Sequence, residues 1–308
     1  MPNSVTVRVP ATSANLGSGY DCLGLALDIT ADVTIAAEPS RPADGHSLAP
    51  MVAASARAAY RAARQPEPAE LSIVWNDTSA SSAQAASAGS ANGIPIARGL
   101  GASAAARAAG LVGANALMDE PLSPDELLAL GAELEGHVDN MAPALFGGLQ
   151  VTVRDESDWH HLSVPLPEDL RIVLLIPDME MPTRESRSRL PRGLPIEDAV
   201  FNIGRAALLV AALAQGEWEL LDAATDDRLH QPARAEIFTA LYEIIDAAKE
   251  GGAHGAYLSG GGSTIAAFAT EDEERIARLM QQAALSRGYS GRTLITRPRV
   301  AGATLVGS

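Results

Sequence analysis

One cysteine, Cys22, stands in 308 residues, which excludes a disulfide framework and any paired-cysteine metal site. Lysine is as scarce: 22 of the 23 basic residues are arginine and one is Lys249. Schiff-base chemistry and a lysine-anchored phosphate loop therefore fall away, and anions must be met by arginine forks and backbone amides. Lys249 itself closes a helical pattern just before Gly251-Gly252, where a cation suits a helix C-terminus. No run of eighteen apolar residues occurs, and the N-terminus has no basic stretch leading into an apolar one. A soluble, cytoplasmic protein is the expectation. The net charge of −15 argues against nucleic acid or an anionic membrane as a partner.

What is present reads as alternating strands and helices. Residues 4–9 alternate as a strand, a polar glycine-containing loop follows, and 25–38 resume the strand pattern. A helix over 47–64 and a short strand at 71–75 lead to small, aperiodic residues across 76–93, read as a flexible loop that could act as a lid. Ser123-Pro124-Asp125-Glu126 carries an N-cap, a proline at the first helical position and a capping-box glutamate, and that helix ends near Gly136. Strands at 149–154 and 171–178, helices over 197–214 and 232–250, a strand–turn–strand at 256–268, and a Thr270-capped helix follow, before a last strand region. The pattern predicts α/β or α+β architecture in two lobes, 1–154 and 155–308.

Four stretches carry chemistry. In GLGAS, Gly99 and Gly101 precede a strong helix former, so several N–H groups and a helix N-terminus can face an anion, best a polyphosphate. Ser103 there could ligate a magnesium ion or cap the helix. Asn15 and Asp21 lie in a loop between strands, where Asx-turn work is the plain alternative. Glu133, Glu135, His137, Asp139 and Asn140 crowd a helix C-terminus that acidic groups do not stabilise. Gly260-Gly261-Gly262 permits close approach of a ligand or another backbone.

In this order, PATSANLGSGYDCLGLALD, GIPIARGLGASAAA, ELEGHVDNMAPALFGG and GAHGAYLSGGGSTIAAF resemble the successive signatures of the GHMP small-molecule kinases, over nearly the whole chain. PDMEMPTRESRSRLP and DDRLHQPAR resemble its homoserine-phosphorylating branch. The resemblance implies an N-terminal lobe like the second domain of ribosomal protein S5, with a left-handed βαβ element, and a ferredoxin-like C-terminal lobe. It implies ATP and Mg2+, with phosphates on Pro95, Ile96, Ala97, Arg98, Gly99, Leu100, Gly101, Ala102, Ser103, Ala104 and Ala105. Ser103 and Glu133 match metal ligands. Asn15, Asp21, His137 and Asn140 match groups around the substrate amine and hydroxyl, and Arg187 and Arg234 the pair on its carboxylate. Thr183 matches a threonine near the transferring phosphate. The implied reaction is phosphorylation of the L-homoserine side-chain hydroxyl, with Asn140, Asp21 and Thr183 as catalytic groups. Ala102, Ser18, Tyr20, Gly261 and Ser263 depart from the usual motifs, and residues 30–94 are shorter than the family's adenine-pocket region. A non-catalytic binding paralogue and a kinase for another small alcohol are the alternatives, and a homodimer stays open.

Overall fold

The computed structural model describes residues 3–37, 45–78, 93–156 and 158–307, leaving out the side chains of 183–185. β1 (Ser4–Ala14) pairs antiparallel with β2 (Leu23–Ala36); β1 runs longer than the alternation alone suggests, and β2 begins and ends two residues earlier. β1 passes Pro10 through a register shift, the usual way a strand tolerates a residue without an N–H. β2 also pairs with β3 (Ser72–Asp77) and β4 (Leu149–Asp155). The first sheet reads β10-β1-β2-β4-β5, with β3 on β2, where β5 is Asp158–Val164 and β10 is Thr304–Leu305. α1 (Ala49–Ala62) and α2 (Ala102–Leu117) pack together, with α2 against β1. The alanine run on α2 is almost wholly buried, so its short side chains serve close helix–sheet packing.

The second sheet orders β7 (Gly255–Leu258), β8 (Ile265–Ala269), β6 (Arg171–Pro177) and β9 (Gly291–Thr296), all antiparallel. With α9 (Leu241–Glu250) and α10 (Glu273–Ser286) in the connections, this is the ferredoxin-like arrangement. β6 shows why it is central. Ile172, Leu174 and Ile176 join the large core shared with the first sheet, while Val173 and Leu175 join the α9–α10 side, as a period of two requires.

Four expectations need correction. The boundary after residue 154 falls inside the β4–β5 hairpin, so β5 belongs to the first sheet, and β10 returns there from the other end of the chain. The 232–250 helix is two, α8 (Gln231–Ala235) and α9, because the chain turns at 236–240 to bury Phe238 in the second core. Asp272, not Thr270, is the N-cap of α10; the Thr270 hydroxyl bonds His254 Nε2 at 2.8 Å instead. β5 was missed because its alternation of histidines and exposed residues carries no apolar face. Residues 79–92 of the expected lid lie outside the described residues.

Candidate active site

A cleft of about 230 Å³ opens where the glycine loop meets both sheets. Its floor is the N-terminus of α2. Gly101, the N-cap, has φ 65°, and no side chain caps the helix and no acid occupies its first turn, so its N–H groups and dipole stay available to an anion. A Cβ on Gly101 would sit 1.8 Å from Thr12 Oγ1, and one on Gly99 (φ 74°) 2.2 Å from the Ser259 carbonyl. Only glycine fits at either position. The loop is braced from the second lobe: Ser259 Oγ donates to Gly99 O at 2.6 Å and Thr264 N to Arg98 O at 3.0 Å. Pro95, Ile96, Ala97, Gly99, Leu100, Gly101, Ala102 and Ser103 line the cleft. Arg98, Ala104 and Ala105 do not. Arg98 turns away to the carbonyls of Pro177 and Asp178, and the two alanines are buried in the core.

The opposite wall carries charge. Arg187, on α5 (Thr183–Ser188), grips Asp21 with both terminal nitrogens, at 2.9 and 2.5 Å, and donates to the Tyr20 hydroxyl at 2.9 Å. Arg234 is 2% exposed, and its bonds to Ser186 Oγ, His230 Nδ1 and Gly260 O all go to neutral acceptors. A buried guanidinium with neutral partners is a standing anion site. His230 accepts from Arg234 and therefore donates Nε2–H to the Gly17 carbonyl at 2.7 Å. Burial pushes its pKa down to about 4, which keeps the ring neutral. Burial and the Asp21 charge push Tyr20 up to about 12, so it stays a neutral phenol. Asn15 accepts from Asp21 N at 3.0 Å and donates to Gly260 O at 2.9 Å, which holds Asp21 at φ 57° in the left-handed region.

The acidic turn supplies the third wall. α3 (Pro124–Glu135) starts on the predicted capping box and stops at Gly136 in the left-handed conformation. Its last residue, Glu135, takes the Ser103 hydroxyl and lies 2.9 Å from Arg107 Nε. Glu135 Oε2 is nonetheless buried without an aligned hydrogen bond. Glu133 is exposed and does not line the cleft, so the metal-ligand expectation moves two residues along the chain. Those two residues turn the side chain by some 200° about the helix axis, a difference that spacing alone could not choose between. His137 Nδ1 meets Asp139 Oδ1 at 2.6 Å. Burial works to lower the His137 pKa, but the bond and charge of Asp139 and the charge of Glu135 outweigh it and raise it. Asn140 heads α4 (Met141–Phe146) and accepts from Thr12 Oγ1 at 2.8 Å. A serine hydroxyl beside a buried carboxylate, whose second oxygen is ion-paired with Arg107 but not hydrogen-bonded, fits a hard divalent cation that also takes phosphate oxygens.

Asn15, Asn140, His137, Arg187 and Arg234 thus line one cleft with the glycine loop, and Asp21 sits on Arg187. Thr183 opens α5, and its side chain lies outside the described residues. Sequence reasoning missed Thr12, Ser186 and Ser259, small hydroxyls whose partners lie 128, 48 and 160 residues away. Only the tertiary fold could find them. Cys22, with its pKa pushed to about 11 by burial, is no nucleophile.

A family model described as the GHMP kinases N terminal domain matches residues 78–148, and the GHMP kinases C terminal model matches 209–286. The homoserine kinase of Carboxydothermus hydrogenoformans is 36% identical over 97% of this chain and 96% of its own. That of Moorella thermoacetica is 39% identical over 92% of this chain and 93% of its own. The chain belongs to the homoserine kinase family of GHMP kinases. Its fold is also that of the Cytophaga hutchinsonii homoserine kinase, with a TM-score of 0.84 over 99% of this chain and 98% of that one, at 24% identity. Mevalonate diphosphate decarboxylase of Staphylococcus aureus shares the fold at a TM-score of 0.67 and 11% identity, over 99% of this chain and 98% of that one. As a member of this family, the chain is an ATP-using enzyme of small molecules. No described helix is long and apolar enough to cross a membrane.

Proposed function

We propose that this chain transfers the γ-phosphoryl group of ATP to the side-chain hydroxyl of L-homoserine, giving O-phospho-L-homoserine in the cytoplasm. One observation carries the reading. A single cleft joins an uncapped helix N-terminus to two arginines, one of them paired with Asp21, which is polyphosphate chemistry beside zwitterion chemistry. The phosphates lie along the Pro95–Ser103 backbone. Arg234 and Arg187 take the substrate carboxylate, while Asp21, with Asn15 and His137, takes the ammonium. The Asp21–Arg187 pair opens as the substrate enters, because the zwitterion offers each residue an opposite charge in exchange. Asn140 orients the hydroxyl, and Thr183 stands near the transferring group.

Phosphoryl transfer passes through a loose transition state, so positioning and charge neutralisation supply most of the rate. The hydroxyl oxygen bonds the γ-phosphorus as the bond to ADP breaks, and its proton passes to an oxygen of the transferred phosphoryl group, so no lysine base is needed. Ser103 and Glu135 would hold the magnesium ion, which neutralises charge across the phosphates. Support for catalysis over a non-catalytic binding role is that Asn15, Ser103, Glu135, His137, Asn140, Arg187 and Arg234 line one cleft. The two arginines favour an amino-acid substrate over a sugar or mevalonate. A coupled ADP-release assay tests the reading against homoserine, mevalonate, galactose and shikimate. Turnover on homoserine alone is expected; turnover on another alcohol, or on none, would overturn it.

A further inference from the structure

A second, larger cavity of about 1060 Å³ lies apart from the cleft just described. Its walls are the two connections by which the chain passes between the sheets, 163–171 from β5 to β6 and 297–301 after β9, together with Phe146–Gly148 at the end of α4. Phe146, Val164, Leu166, Leu170 and Pro298 make an apolar body. At one end, Arg297 Nε and Arg299 Nη1 share a single carboxylate, Asp28, each at 3.1 Å. Arg299 Nε is buried without a hydrogen-bond partner. Arg171, also in the lining, spends its bonds on the carbonyls of Glu168 and Leu170.

The lining therefore carries three guanidiniums against two carboxylates, Asp28 and the exposed Glu168, in a chain whose net charge is −15. Arg297 is largely exposed and meets water, but the buried Nε of Arg299 lacks the acceptor that such groups almost always have. We infer that this cavity is a binding site for a small carboxylate on an apolar body, its head on Arg297 and Arg299 and its body against Phe146, Val164 and Pro298. Backbone bonds fix the Arg299 segment: Gly148 N bonds Arg299 O at 2.7 Å and Ala303 N bonds Ala144 O at 2.8 Å.

The test uses the full chain and benzoate as probe, with benzamide as its neutral isostere and inorganic phosphate as a headgroup without a body. Calorimetric titration should give saturable heat with benzoate, at least tenfold weaker heat with benzamide and phosphate, and the same benzoate constant when ATP and magnesium fill the other cleft. Arg297→Ala combined with Arg299→Ala should weaken benzoate at least tenfold. If that variant fails to fold, Leu166→Trp, at a partly buried lining position and with the charges left in place, should abolish binding. Equal binding of benzoate and benzamide, loss of benzoate binding on adding ATP, or full binding by either variant overturns the site. None of these readouts depends on the phosphoryl acceptor.

Discussion

Glu133 and Glu135 are two residues apart, and only one of them faces the cleft. Glu135→Gln should lower turnover on the order of a hundredfold or more, since a metal-held anionic contact is worth several kcal/mol. Glu133→Gln should leave it within about twofold. Steady-state rates across a magnesium titration check both, and the reverse pattern would return the ligand to Glu133. Arg187→Ala and Arg234→Ala should each raise the KM for homoserine about ten- to a hundredfold, with that for ATP nearly unchanged, because each removes a charge-assisted bond of about 1.5–3 kcal/mol. Lysine at either position should rescue little, since an ammonium cannot reproduce a planar fork. A rise in the ATP constant alone would remove the carboxylate role. His230 sets a pH dependence of stability. Its ordinary value is 6.5 and its folded value about 4, so between those limits the unfolded chain binds a proton that the folded chain refuses. Stability is then full above about pH 6.5, falls as pH drops through that window and levels below about 4. His254, lowered by burial, adds to this fall, and His137, raised, opposes it. Urea midpoints at pH 7 and pH 5 measure the fall, and His230→Asn should reduce it.

At the scale of elements, the periodic segments were readable and the site-bearing turns were half readable. The Ser123 capping box, α2 and the β7–β8 turn announce themselves through local chemistry: a reciprocal cap, a small-residue helix, three consecutive glycines. β5 and the break between α8 and α9 did not, because one is set by pairing with β4 and the other by burial of Phe238. The glycine loop shows the division. Its composition declares an anion cradle, yet its shape is held by the Ser13–Ser259 hydroxyl pair at 2.7 Å and by Ser259 on Gly99 O. Ser259→Ala should raise the KM for ATP roughly fivefold, the effect of one ordinary hydrogen bond of about 1 kcal/mol, and leave that for homoserine unchanged. Unaltered ATP binding would mean the loop holds its form without the brace. Ser263, where the family motif has proline, donates to Met179 O at 2.5 Å, so a hydroxyl tether secures the turn that a proline ring would have stiffened.

In the whole molecule, two sheets share one large core. Leu174 and Phe268 of the second sheet lie in the same cluster as Val7 and Leu25 of the first. The lobes should therefore unfold together: calorimetry is expected to show one endotherm whose van't Hoff and calorimetric enthalpies agree. Two resolved endotherms would make the lobes independent. The sequence by itself determined the class of chemistry, because motif order, glycine spacing, the scarcity of lysine and the placing of the arginines are local facts of composition. It also determined the ferredoxin-like second lobe, through its resemblance to a known family. Only the tertiary structure decided which glutamate faces the cleft, which hydroxyls brace the loop, and that Arg187 rests on Asp21. Those outcomes depend on helical phase and on contacts between residues more than a hundred positions apart, and no local pattern encodes the meeting of two distant surfaces.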